Sequence, residues 1–181
     1  MKAFVLAAGT AALLGCQAAG PAYSRIRLHL TDAPAPNIES AVVYISRSYL
    51  VPGDSGNGVD VSTTAQSYDL LTLQNGVTTL IGDATVPAAR YSQLRLVVDS
   101  ARITLAAGST FDDGSNTASL TVPSGSRSGI KVSFAGQLDL TQNADVVVDF
   151  DVAKNFVFNG PSAGPFRVLF TPTLKGTAQT Q

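Results

Sequence analysis

The stretch that decides the fold is Ser24-Arg25-Ile26-Arg27-Leu28-His29-Leu30, in which polar and apolar residues alternate from Arg25 onward. Successive side chains of a β-strand point to opposite faces of the sheet, so the three aliphatic side chains share one face and the basic side chains share the other. The pattern predicts a strand with one buried face. Residues 31–36 include two prolines and end the strand, because proline cannot donate a hydrogen bond to a neighbouring strand.

Short strands separated by turn residues account for the chain that follows. The predicted strands are residues 24–30, 41–51, 78–86, 90–99, 102–106, 119–122, 130–140, 145–152 and 166–174. Roughly eight or nine strands at this spacing are typical of a β-sandwich. The predicted fold is therefore all-β, a single antiparallel β-sandwich in one domain, with a closed barrel as the alternative.

A tight turn is predicted at Asn75-Gly76, because this dipeptide readily adopts the left-handed backbone that two-residue hairpin loops need. An apolar run at residues 68–73 precedes the turn and has room for one helical turn. Residues 78–86 follow the turn, and we expect them to pair back across it onto that run.

Composition limits the classes of function. The chain of 181 residues has 14% charged residues and a formal net charge of −1, which excludes the basic surface of a nucleic-acid-binding protein. One Cys cannot form an internal disulfide, and one Cys with one His cannot build a structural zinc site. The low charge, with many Ser, Thr, Gly and Val residues, favours an extracytoplasmic all-β domain.

The N-terminus has the features of a secretion signal. Met1-Lys2 is positively charged, and residues 3–14 form an uncharged stretch that is too short to span a bilayer. The next residues complete the string Leu13-Leu14-Gly15-Cys16, which resembles the lipobox of bacterial lipoproteins. That resemblance implies attachment of diacylglycerol to the Cys16 thiol, cleavage before Cys16, and acylation of the new amine. The simpler alternative is an ordinary signal peptide followed by a chance Cys.

These features predict the division of the chain and its location. We expect a lipoprotein signal peptide at residues 1–15, a lipidated tether at 16–23, the β-sandwich domain at 24–176 and a C-terminal tail at 177–181. Gln17 follows the Cys, whereas an Asp there would resemble the inner-membrane retention signal of Gram-negative lipoproteins. The outer membrane is therefore the expected location in a host that has one, with the lipid anchor as the contact to the membrane.

Several short sequence phrases occur once each along the chain, and their order resembles that of a known family. They are Leu30-Thr31-Asp32-Ala33-Pro34, Asp69-Leu70-Leu71-Thr72-Leu73 with Asn75-Gly76, Val86-Pro87-Ala88-Ala89-Arg90-Tyr91, Val122-Pro123-Ser124-Gly125 before Gly129-Ile130-Lys131, and Val148-Asp149-Phe150-Asp151. In this order they resemble the bacterial lipoprotein family of domain of unknown function 4382, over residues 25–174. The resemblance implies a sandwich of the prealbumin, Ig-like or carboxypeptidase-regulatory-like kind at the cell envelope. It implies no reaction, because the family has no assigned activity.

Paired carboxylates are the candidate metal ligands. Asp149 and Asp151 lie two residues apart in an extended stretch, so both carboxylates project from one face, and Asp32 at the end of the first strand could join them. An oxygen-only calcium site is one interpretation; an exposed strand face or Asp side chains that cap loop amides is the other. The loops at 54–60 and 112–116 are weaker calcium candidates, because neither has the spacing of an EF-hand. No other cofactor is predicted.

Few other side chains are candidates for catalysis or ligand binding. His29 is the only available imidazole base, and without a nucleophile motif it is interpreted as an exposed strand residue, so no catalytic residue and no enzymatic activity are predicted. The chain has no Trp, which leaves Tyr44, Tyr49 and Tyr68 as candidate platforms for sugar rings.

The function predicted from the sequence is that of a cell-envelope lipoprotein, a non-catalytic binding or structural module held at the membrane by its lipid. Two alternatives stay open: a carbohydrate-binding or adhesion module, and a calcium-stabilised surface domain. An envelope glycan or an envelope protein is the expected partner class, and nucleic acid is excluded.

Overall fold

The computed structural model describes residues 22–53, 57–122, 128–160 and 165–181, and the fold in these ranges is all-β, as predicted. Thus the predicted signal peptide and Cys16 lie outside the described residues. The strands are β1 (Tyr23–Thr31), β2 (Ile38–Pro52), β3 (Val59–Ser62), β4 (Gln66–Asp69), β5 (Thr79–Pro87), β6 (Ala89–Leu105), β7 (Thr117–Thr121), β8 (Ile130–Ser133), β9 (Leu138–Leu140), β10 (Ala144–Asp149), β11 (Phe156–Asn159), β12 (Arg167–Phe170) and β13 (Leu174–Thr180). A 3₁₀ helix at Leu70–Leu73 and a single helical turn, α1 (Val152–Asn155), complete the described elements.

The alternating stretch forms β1, with the two faces that the pattern predicted. Ile26, Leu28 and Leu30 are fully buried in the core, whereas the basic side chains lie on the outer face. On that outer face Arg25 pairs with Asp83 on β5, and Arg27 pairs with Asp145 on β10. The strand is thus fixed by apolar packing on one side and by ion pairs to both neighbouring strands on the other.

The arrangement of strands differs from the predicted antiparallel sandwich of eight or nine strands. Eleven strands of the described chain form one mixed sheet with the order β3-β2-β6-β8-β13-β10-β1-β5, while β4 pairs with β2, and β7 and β9 pair with β6. The pairs β1–β10 and β13–β8 are parallel. Parallel pairing needs a long crossover between the two strands, and here the chain from β2 to β9 provides it between β1 and β10. Alternation within a strand carries no information about such a distant partner, which explains the error.

The sheet curls until its two end strands meet, so its shape approaches the barrel that was the alternative prediction. Strands β3 and β5 are the two ends of the order, and Gly82 of β5 lies against β3. A Cβ atom added at Gly82 would lie 2.9 Å from Val61 Cγ1, which is closer than side chains pack. The register of β5 against β1 shifts at the same place, between Leu28 and His29. A bulge with a glycine is a common way to bend a strand at a barrel corner.

The turn at Asn75-Gly76 has the predicted backbone but joins different partners. Asn75 has φ 58° and Gly76 has φ 84°, as a two-residue turn of this kind requires. The run before it divides into β4, which pairs with β2, and the 3₁₀ helix, which Asp69 caps by accepting from the Leu71 amide. Because that run is taken up by the pairing with β2 and by the 3₁₀ helix, strand β5 pairs with β1 rather than back across the turn.

The C-terminal third also departs from the prediction. The segment predicted as one strand at 130–140 is broken into β8 and β9, and that at 166–174 contains β12 and only the beginning of β13. Strand β13 continues to Thr180 between β8 and β10, so the residues predicted as a tail lie mostly in a strand. Strands β11 and β12 form a separate two-stranded sheet, whose Phe156 and Phe170 rings pack 4.8 Å apart in the core.

Helices contribute little to this fold. In the described residues, none is long and apolar enough to cross a membrane.

Candidate functional site

Two of the three predicted calcium ligands meet at the end of β1. Strands β1 and β10 run parallel with Thr31 opposite Asp149, and Asp32 follows directly. Asp32 and Asp149 line one side of an open cleft of about 400 Å³. Lys175 of β13, which lies opposite Asp149 in the register, lines the same cleft. The sequence therefore predicted the convergence of these two acids but not the lysine that faces them.

Asp32 is a buried carboxylate that joins β1 to the chain after β10. Only 5% of the residue is exposed, and its Oδ1 accepts a hydrogen bond of 2.8 Å from the Val152 amide. Its other oxygen, Oδ2, and the Gln74 Nε2 are both buried without a partner in hydrogen-bond geometry. The Asp32 amide in turn donates to the Leu73 carbonyl, which holds the 3₁₀ helix against the end of β1.

Burial controls the ionisation of Asp32. Removal from water raises the pKa of Asp32 to about 6, and the nearby Asp149 carboxylate adds to this rise. The Val152 and Ala33 amides and the Gln74 side chain act in the opposite direction, because they favour the charged form. The charge of Asp32 therefore changes at a pH of about 6, close to neutral pH.

The carboxylate of Asp151, the third predicted ligand, already binds other groups of the protein. It has φ 46° and caps α1 by accepting from the Lys154 amide, and its carboxylate forms an ion pair with the Lys154 ammonium. Asn155 at the end of α1 is fully buried and donates to the Phe150 carbonyl while it accepts from the Thr173 amide. Sequence reasoning missed Asn155, because an Asn in this position carries no signal of its role.

The predicted calcium site stays a prediction. The ranges that the structure describes contain no group of three or more His, Cys, Asp or Glu side chains placed to hold a metal ion. The weaker loop candidates also have protein partners: Asp60 pairs with Arg47, and Asp112 pairs with Arg167. Asp113 accepts from the Ser115 amide. The Ser115 hydroxyl and this amide together lower the pKa of Asp113. Residues 54–56 lie outside the described chain.

His29 lies on the outer face of β1 among charged side chains. Its Nε2 is 3.9 Å from Asp145 Oδ1, and Arg27 pairs with the same carboxylate at 2.7 Å. Within the described residues no hydroxyl group forms a hydrogen bond with the His29 side chain. His29 thus lies beside the Arg27–Asp145 ion pair, with no nucleophile of the described residues in hydrogen-bond contact.

The three candidate tyrosines have different surroundings. Tyr49 donates from its hydroxyl to the Ser128 carbonyl, and the Arg47 guanidinium lies 4.4 Å from its ring centre. Tyr68 packs against the core. Tyr44 is the most accessible of the three, with 37% of the residue exposed.

Tyr44 lies in a shallow groove on the outer face of β2, β4 and β6. The groove has a volume of about 320 Å³, and we call it the Tyr44 groove; its lining residues are Val42, Tyr44, Ser67, Ser100 and Arg102. Tyr44 lies opposite Ser67 on one side and Ser100 on the other. The register of β2 against β6 shifts immediately after the Tyr44–Ser100 pair, and bulges of this kind alter the direction of nearby side chains.

Fold and clefts together define an all-β, barrel-like domain with polar surface depressions. The family model described as "Domain of unknown function (DUF4382)" matches residues 23–164. The chain belongs to this family, as its ordered phrases predicted.

Other comparisons add little. The search of curated proteins gave no significant match. Among solved structures, MbnP from Methylosinus trichosporium is similar at 12% identity, over 81% of this chain and 83% of that chain, with a TM-score of 0.35. A likeness at this level carries no argument about fold or function.

Proposed function

We propose that this protein is a cell-envelope lipoprotein, a non-catalytic binding module held at the membrane by a lipid on Cys16. The observation that carries the proposal is the position of the only Cys. It ends the apolar N-terminal stretch and precedes the first residue of β1, Tyr23, by seven positions. Two or three acyl chains on one residue are enough for stable anchoring.

The short tether limits how far the domain can lie from the membrane. Seven residue steps span at most roughly 25 Å, so the start of β1 is held close to the lipid headgroups. The Ala88 amide donates to the Ala22 carbonyl, which places the start of β6 at the same end. Thr31, Asp32 and the cleft beside them lie at the opposite end of β1, roughly 25–30 Å away. Anchoring at Cys16 would therefore attach the domain at the end of β1 that is remote from this cleft.

Fatty-acid labelling tests the anchor. We expect label from a metabolically supplied fatty acid on the wild-type protein and none on Cys16→Ala, with the wild type in the membrane fraction. Ser24→Ala is a matched control, because Ser24 lies near the tether and its substitution leaves Cys16 intact. Label on Cys16→Ala, or an unlabelled wild type, would contradict the proposal.

Carbohydrate binding is the second candidate, and the exposed ring of Tyr44 favours it. Apolar faces of sugars stack on flat aromatic rings, and the two serines beside Tyr44 offer hydroxyl groups for hydrogen bonds.

The calcium alternative has its own test. It predicts that calcium raises the melting temperature of the wild type and that the rise is lost in Asp149→Asn. An unchanged melting curve on addition of calcium would reject it.

A further inference from the structure

We propose that the Tyr44 groove binds a carboxylated saccharide, such as a uronic acid oligomer, with Tyr44 stacking on a sugar ring and Arg102 pairing with its carboxylate. This inference rests on the second candidate function and specifies the ligand class and the residues that select it.

The Arg102 guanidinium has no hydrogen-bond or ion-pair partner among the described residues. Every other arginine in the described ranges has one. These pairs are Arg25 with Asp83, Arg27 with Asp145, Arg47 with Asp60, Arg90 with Asp139, Arg95 with Gln93 and the Ser128 carbonyl, and Arg167 with Asp112. Arg102 is thus the one arginine in the described ranges without such a pair, and it lines a groove beside an exposed aromatic ring.

The nearest carboxylate by strand register does not neutralise Arg102. Val42 lies between Arg102 on β6 and Asp69 on β4. Asp69 accepts hydrogen bonds from the Ser40 hydroxyl and from the Ala41 and Leu71 amides, so its charge is used to cap the 3₁₀ helix. No carboxylate of the described residues pairs with Arg102, so the groove keeps a positive charge.

The other lining groups fit a sugar ring. The flat Tyr44 side chain and the half-buried Val42 provide an apolar floor, while Ser67 and Ser100 are exposed and carry hydroxyl groups that can donate and accept. A planar guanidinium binds a carboxylate through two parallel hydrogen bonds, which a neutral sugar cannot accept in the same way. A neutral saccharide would gain only the contact with the apolar floor, whereas an acidic saccharide would gain this contact and the ion pair with Arg102.

The groove is also accessible in the anchored protein. Strand β6 starts at Ala89, at the same end as the tether, and Ser100 and Arg102 lie near its far end. The described surface around Tyr44 thus faces the medium, where an envelope polysaccharide would be met.

The test is calorimetric titration of the full-length protein in detergent with a short oligogalacturonate, and with the same oligomer after methyl esterification of its carboxylates. We expect the acidic oligomer to bind roughly 10-fold or more tightly than the ester, since a hydrogen bond to a charged group is worth about that factor. Arg102→Gln should remove this difference. Tyr44→Ala should weaken both ligands, and added salt should weaken only the acidic one.

Two controls match the variants. Arg90→Gln removes an exposed arginine that is paired with Asp139, and Tyr23→Ala removes an exposed tyrosine at the tether end; both should bind like the wild type. Absence of binding by the acidic oligomer, equal affinity for acid and ester, or wild-type binding by Arg102→Gln and Tyr44→Ala would overturn the inference. Fatty-acid labelling of Cys16 is independent of all these outcomes, so the anchor and the glycan site can fail separately.

Discussion

At the scale of single residues, Asp32 shows most clearly how burial and charge oppose each other. Its carboxylate leaves water at the end of β1, where it gains the Val152 amide but leaves one oxygen without a hydrogen bond. Loss of hydration outweighs the favourable contacts, and the pKa of Asp32 rises to about 6. Burial in the folded protein therefore disfavours the charged form of Asp32 relative to the neutral form.

The pH dependence of stability follows from that pKa. Because the folded-state pKa lies above the ordinary value of 3.8, the native state binds the proton more tightly than the unfolded state. The resulting stability is fully present below about pH 4 and is lost as the pH rises through about 6. In Asp32→Asn this loss is absent. We expect the free energy of unfolding of the variant, minus that of the wild type, to increase by roughly 1–3 kcal/mol between pH 4 and pH 7.

Urea unfolding at a series of pH values measures this difference. Asp83→Asn is the matched control, because the Arg25 guanidinium lowers the pKa of Asp83. The stabilising contribution of ionised Asp83 is present at neutral pH and is lost as the pH falls below 4. The free energy of unfolding of Asp83→Asn, minus that of the wild type, should therefore decrease as the pH rises, which is opposite to the change expected for Asp32→Asn. A difference for Asp32→Asn that does not depend on pH would show that Asp32 has an ordinary pKa.

At the scale of elements, alternation predicted where strands lie but not what they pair with. Strand β1 was predicted almost to the residue, because basic and aliphatic residues alternate from Arg25 to Leu30 and Ile26, Leu28 and Leu30 fill its buried face. The parallel pair of β1 with β10 could not be predicted, because both strands fit any apolar neighbour equally well. Strand β13 was missed in the polar C-terminal residues, since it is held by backbone pairing to strands on both sides rather than by an apolar face.

Closure of the sheet depends on the small size of Gly82. An added methyl group would meet Val61 across the contact between β5 and β3, so Gly82→Ala should lower the free energy of unfolding by about 1–3 kcal/mol. Thermal or urea unfolding measures the effect. Gly136→Ala is the control, because nothing lies within 4 Å of the added atom, and its effect should stay within about 0.5 kcal/mol.

A second variant separates the steric explanation from a backbone effect. Val61→Ala removes the methyl groups that the new Cβ would meet, so the double variant with Gly82→Ala should be more stable than the sum of the two single effects. Equal losses from Gly82→Ala and Gly136→Ala, or strict additivity in the double variant, would argue against close contact between β3 and β5.

At the scale of the whole molecule, the proposed lipid anchor and the Asp32 cleft lie toward opposite ends of β1. The family membership and the all-β fold could be predicted from ordered phrases and alternation, because both depend on local sequence. The candidate sites were predicted less well. Asp32 and Asp149 do meet, but Asp151 is held by Lys154, and the free Arg102 beside Tyr44 has no sequence signal, because the partners of an arginine depend on the fold.

Mass spectrometry of the N-terminal tryptic peptide decides whether Cys16 is the lipidated first residue of the mature protein, as we propose. Trypsin cuts after Arg25, so the account predicts a peptide of residues 16–25 that carries diacylglycerol on the Cys16 sulfur and an acyl group on its amine. A mature protein that begins at another residue, or a peptide in which Cys16 carries no lipid, would contradict the account.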